Sequence, residues 1–151
     1  SPLHEAAHGG HAACVHALLQ AGANVAEVGP NGAQALHCAA LSGQVVCVLA
    51  LLKAGADIEA PDQDNDTPLT WATHAGHSAC VETLLRAGAN IDAPEKGGMR
   101  ALHWAASTGH QECVEALLRA GANIEAARDD GARPLHCAAM EGHLTCVEAL
   151  L

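Results

Sequence analysis

The chain contains no phenylalanine and no tyrosine, and its 151 residues include only two tryptophans, Trp71 and Trp104. Large rings are therefore confined to those two positions, whether they serve a core or an interface. Cations are also scarce: seven Lys and Arg stand against seventeen Asp and Glu, giving a net charge of −10, and the only lysines are Lys53 and Lys96. Proteins that hold phosphate backbones carry a basic face, so this balance argues against nucleic acid and against anionic membranes. It suits a basic or neutral partner. Long hydrophobic runs are missing too. The longest, Val45 to Leu52, falls far short of a bilayer span, and the N-terminus lacks the basic-then-apolar layout of a secretion leader. A cytosolic or nuclear location is expected, with no membrane contact.

What the chain does have is repetition. Leu3, Leu36, Leu69, Leu102 and Leu135 recur every 33 residues, and Gly22, Gly55, Gly88 and Gly121 close four of the five copies, with no insertion or deletion. Strict self-similarity at this period marks a repeat array, in which each unit buries apolar surface only against its neighbours. One domain over residues 1–151 is expected, without an internal linker, in units of about 1–28, 29–61, 62–94, 95–127 and 128–151. The first copy opens directly on its helix start and the last stops at Leu150-Leu151 without its glycine, so a piece of a longer protein is expected.

Within the copy Ala101–Ala126, Leu102, Ala105 and Ala106 are spaced i, i+3, i+4 and fall on one stripe of a helix over about Ala101–Thr108. Gly109 and its counterparts then release the chain. A second helix begins near Gln111 and turns Cys113, Val114, Leu117 and Leu118 inward. In the copy before it, Thr67 and Pro68 supply an N-cap and a residue preset for the first turn. The segment from Asn123 to about Ala132 mixes Gly, Asp and Arg and reads as an extended, exposed connection. Of the seven cysteines, Cys14, Cys47, Cys80, Cys113 and Cys146 share one repeat position. Equivalent positions on stacked helices lie roughly 10 Å apart, too far for disulfides, so all five are expected as buried thiols in a reducing compartment.

These residues resemble the ankyrin-repeat family. Its signature Thr-Pro-Leu-His, Ala-Ala, Gly-His, Val, Leu-Leu, Gly-Ala is matched by Ser1-Pro2-Leu3-His4, Ala6-Ala7, Gly10-His11, Val15, Leu18-Leu19 and Gly22-Ala23, and later copies are nearly as close. Ala35 and Ala101 replace the proline, Thr70 the histidine, Asn65 the finger glycine and Gln44 the second histidine. The resemblance implies an all-α solenoid of five stacked antiparallel helix pairs, with β-hairpin-like fingers at right angles and a concave face made by fingers and first helices. It further implies that His4, His37, His103 and His136 serve hydrogen bonding within and between repeats.

Catalytic and metal signatures fail on inspection. No nucleophile–base pair, phosphate loop or carboxylate dyad is recognisable, so no enzyme activity and no cofactor are expected. His8-x-x-His11-x-x-Cys14 and His74-x-x-His77-x-x-Cys80 approach ligand spacing, but Gly10 and Gly76 interrupt each motif and no Cys-x-x-Cys accompanies them. Asp62, Asp64 and Asp66 alternate like the start of a calcium loop, yet Thr67 and Thr73 stand where glycine and an acid are required.

A functional site should break the repeat. If Leu102 points inward, Trp104 lies about 200° round the helix, with Ser107 and Thr108 flanking it at i+3 and i+4. The stripe is expected to lie outside the core, and its chemistry varies: Cys38-Leu41-Ser42, Trp71-His74-Ala75 and Cys137-Met140-Glu141 occupy it in other copies. The resemblance places it on the concave, partner-binding side beside finger residues that include Asp64, Asp66 and Met99. Trp71, Trp104, His74, Leu41, Ser107, Thr108, Met99, Met140, Glu141, Asp64 and Asp66 are thus the candidate contacts. A monomeric, non-catalytic module for a partner protein or peptide is expected, with an apolar anchor over the rings and a basic group near the acids. The alternative is the recruiting or regulatory part of a larger enzyme such as a ubiquitin ligase or kinase. Whether the rings face a partner or fill a groove between helices stays open at this level.

Overall fold

The computed structural model describes all 151 residues. The chain forms ten helices: α1 (Pro2–His8), α2 (Ala12–Gln20), α3 (Ala35–Leu41), α4 (Val45–Lys53), α5 (Pro68–His74), α6 (Ser78–Arg86), α7 (Ala101–Thr108), α8 (Gln111–Arg119), α9 (Pro134–Glu141) and α10 (Leu144–Ala149). Each odd-numbered helix packs on the next odd one and on its own even partner, and the even helices stack in a second layer. None exceeds nine residues, so none would persist alone in water.

The stack holds them because the apolar stripes recur. Leu36, Leu69 and Leu102 on the first helices, and the Cys-Val-Leu sets at 47/48/51, 80/81/84 and 113/114/117 on the second, are at most 2 % exposed. One continuous cluster runs from Leu3 to Leu150. Burial pushes the Cys80 thiol up to about 11 and Cys113 up to about 12. They behave as small apolar groups.

Histidines interlock the units. The Nδ1 atoms of His37 and His103 accept from the backbone N–H of Gln34 and Arg100, at 3.1 and 3.2 Å. This fixes the tautomer, and Nε2–H donates across to the next finger, at Asp66 O and Ala132 O, both 3.3 Å. His4 reaches Ala33 O in the same way at 3.0 Å. His136 keeps only the local bond from Arg133 N and is exposed. A second set crosses between layers: His110 donates to His74 O at 3.1 Å and His143 to Ser107 O at 3.0 Å. Their rings lie over Gly76 and Gly109, where a Cβ would meet ring atoms at 2.6 Å and φ is +80° and +78°. Glycine is needed there on both counts.

Several expectations change. Cys14 is exposed while its four counterparts are buried, because no helix of the chain packs on that side of α2. Leu118 is half-buried rather than inward. The variable stripe is not wholly outside the core, since Cys137 is 3 % exposed; its short side chain does not reach the surface, and Arg128 lies beside it. The fingers keep the hairpin-like form that the resemblance implies, as tight turns. Each is closed by two backbone bonds, Gly29 N to Ala33 O with Gly32 N to Gly29 O, Asp62 N to Asp66 O with Asn65 N to Asp62 O, Glu95 N to Met99 O with Gly98 N to Glu95 O, and Arg128 N to Ala132 O with Gly131 N to Arg128 O, and the one bridge is Val28–Gln34. Asn65 adopts φ +70°, as the glycines at 32, 98 and 131 do.

Candidate functional site

The two tryptophans sit in the third and fourth units, and each is tied to its own finger. Asp62 opens the third finger; its Oδ1 accepts from the N–H groups of Asp64 and Asp66, both at 2.9 Å. Its Oδ2 accepts the indole N–H of Trp71 at 3.0 Å. One repeat later, Glu95 Oε2 accepts the indole N–H of Trp104 at 2.7 Å. The same positions hold Gly29 with Cys38 in the second unit and Arg128 with Cys137 in the fifth. A ring tied to an acid nine residues earlier therefore exists only in the two central units.

The rings also lean on the preceding unit. Trp71 meets His37 edge-on, with centroids 5.3 Å apart, and Trp104 meets His74 at 5.1 Å. The partners differ because Thr70 stands where the other units have histidine. That shorter side chain cannot reach the next finger's carbonyl. Glu95 comes to it instead, and the Thr70 hydroxyl donates to Glu95 Oε1. Both Trp side chains end half-buried, so each ring packs on one side and is open on the other.

The open sides face a cavity of about 340 Å³ lined by Asn31, Leu41, Asp62, Asp64, Asp66, Thr70, Trp71, His74 and Trp104. Of the sequence candidates, Leu41, Asp64, Asp66, Trp71, His74 and Trp104 come together here. The others do not. Met140 is exposed beside a separate hollow with Arg128 and His136, and Met99 Sδ lies 3.6 Å from Arg128 Nη1. The Thr108 hydroxyl donates back to Trp104 O at 2.7 Å, Ser107 meets the second layer through its carbonyl, and Glu141 is exposed at the end of α9.

Glu95 is the residue that sequence reasoning missed. An acid in an exposed-looking finger gives no sign of burial, yet it is only 7 % exposed. Two signals were present: Thr70 replacing the histidine, and an acid nine residues before each Trp and nowhere else in the array.

Electrostatically the cavity is one-sided. Burial pushes the Glu95 carboxyl up to about 7, against hydrogen bonds from Thr70 and Trp104 that pull it down, and the nearby Asp66 raises it further. Burial likewise raises Asp66, followed by repulsion from Asp62 and Asp64. The ion pairs of the chain, Arg119–Glu82, Arg128–Asp130 and Arg133–Glu125, lie elsewhere. No lysine or arginine lines the cavity.

No helix is long and apolar enough to cross a membrane. No curated protein matches the chain at a significant level. The family model for ankyrin repeats matches in three overlapping copies, over residues 1–62, 57–128 and 94–151. Together with the stacked helix pairs and interlocking histidines, this identifies the chain as a member of the ankyrin-repeat family, whose repeats are generally protein–protein interaction modules.

Proposed function

We propose that this domain is a non-catalytic module that binds a partner protein or peptide along its concave face, in a cytosolic or nuclear setting. The observation that carries the reading is the cavity over Trp71 and Trp104. The framework residues recur from unit to unit, but at this one place the variable positions carry half-open rings and acids. Half-buried aromatics in a concave site are the residues that dominate binding energy in protein interfaces. Leu41, Asp64, Asp66 and His74 form the rest of the contact, and Met99, Ser107, Thr108, Met140 and Glu141 extend the same face toward the C-terminal end.

The test is selection of binding peptides from a displayed random library on the intact domain, followed by calorimetry with Trp71→Ala and Trp104→Ala. Each variant should retain the helical circular dichroism of the parent and weaken the selected peptides by roughly tenfold or more. Unchanged affinity in both folded variants would overturn the reading.

A further inference from the structure

We infer that the cavity between Trp71, Trp104 and the Asp64–Asp66 finger receives one cationic side chain, a lysine or arginine, from a basic segment of the partner. This deepens the reading of the groove as the partner site and depends on it. It also changes the anchor: a charge, rather than an apolar group, occupies the space between the rings.

The first support is charge complementarity. Asp62, Asp64 and Asp66 line the cavity, with Glu95 behind Thr70 and Trp104, and none of them belongs to an ion pair. What sets these acids apart is that they meet around two aromatic rings in a cavity that no lysine or arginine lines. An apolar occupant would desolvate these carboxylates without compensating them, which is costly.

The second support is how the rings are held. Both indole N–H groups are already bound to carboxylates of their own fingers, at 3.0 and 2.7 Å. The rings therefore offer the cavity no donor, only their π surface, which attracts a cation. Asp62 and Glu95 likewise already accept hydrogen bonds on both oxygens. Asp64 makes no side-chain hydrogen bond, and Asp66 is half-buried beside the rings. Asp64 is free to take the ammonium or guanidinium, Asp66, whose side chain also meets Glu95, adds its charge beside it, and Leu41, which lines the same cavity, covers the methylene stem.

The probes are three blocked pentapeptides, glycine at every position except the centre, which is lysine, arginine or norleucine. The readout is the pair of indole N–H resonances in the nitrogen-15-labelled domain at pH 8, which belong to Trp71 and Trp104 alone because no other tryptophan exists. The cationic peptides should shift both resonances saturably, and at least one should bind roughly fivefold or more tighter than norleucine. Which cation binds better assigns the source. Asp64→Asn and Asp66→Asn should abolish that preference, while Glu148→Gln, exposed on α10 away from the cavity, should leave it intact. Norleucine binding as tightly as both cations would overturn the inference and leave the groove reading standing. No shift with any cation up to about 10 mM, the range of a one-residue anchor, would overturn it as well. Failure of the groove reading is separate: it is seen when library-selected peptides ignore Trp71→Ala and Trp104→Ala.

Discussion

The second and third units are built on the same plan and differ in what they do with one finger. In the second, Gly29 and Cys38 make no side-chain bond, and the finger is held by its backbone, by Asn31 Oδ1 accepting from Ala33 N, by His4, whose ring reaches Ala33 O, and by Gln63, whose amide donates to Pro30 O. In the third, the Asp62 side chain gathers two backbone N–H groups and the indole of Trp71. The fourth unit repeats the indole bond with Glu95 and Trp104, and in place of backbone N–H groups the acid accepts the Thr70 hydroxyl of the unit before. The framework residues are shared, so the difference lies in side chains that the stack does not require. An array separates the two classes cleanly: what recurs supports the fold, and what departs from recurrence in neighbouring units, and meets in space, marks the site.

The largest effect should be the same in both regions. Leu51→Ala and Leu84→Ala each empty a fully buried position and should cost about 2–5 kcal/mol in urea unfolding. A clear inequality between them would show that the units do not share one framework.

Glu95 separates the regions next. Its folded value near 7 lies above the ordinary 4.5, so its contribution to stability is complete below about pH 4.5 and is lost as pH rises through about 7. Glu95→Gln should remove that loss and exceed the parent in stability at pH 8 by about 1–3 kcal/mol, with the gap closing toward pH 4.5. His37 and His103 act in the opposite sense: burial lowers both, so their contribution is lost as pH falls below about 6.5. They are common to parent and variant and cancel in the comparison. A gap that does not vary with pH would contradict the burial of an ionisable Glu95.

Trp71→Phe and Trp104→Phe keep a ring but leave Asp62 Oδ2 and Glu95 Oε2 without a donor. Each should cost about 1 kcal/mol by chemical denaturation, with Cys38→Ala in the second unit costing less. The smallest effect belongs to Asn65→Gly. It matches the conformation the other fingers reach with glycine and should raise stability by about 0.5–1 kcal/mol, read as a small increase in thermal midpoint.

Much of this was legible in the sequence because repetition averages out ambiguity. A helix over Ala101–Thr108 and another from Gln111 follow from a spacing seen five times, and both form as expected. Leu41, Asp64, Asp66, Trp71, His74 and Trp104 could be gathered because helical geometry and the resemblance put one stripe beside the fingers. Glu95 could not be found that way. Its burial depends on Thr70 in another unit, a contact between residues 25 apart, and its two signals show only when the units are compared with one another. Cys14 and Cys137 failed for related reasons: one lacks a neighbouring helix, and the other carries a side chain too short to leave the core.

The most direct test of the claim that the central departures make the site is to write them out of the chain. In one variant, Asp62→Gly and Trp71→Cys copy the second unit, while Glu95→Arg and Trp104→Cys copy the fifth. Affinity for peptides selected on the parent domain is then measured by calorimetry, with helical circular dichroism as the check on folding. A folded protein that no longer binds them is the expected result. A folded protein that binds them as before would place the function of this array on some other surface.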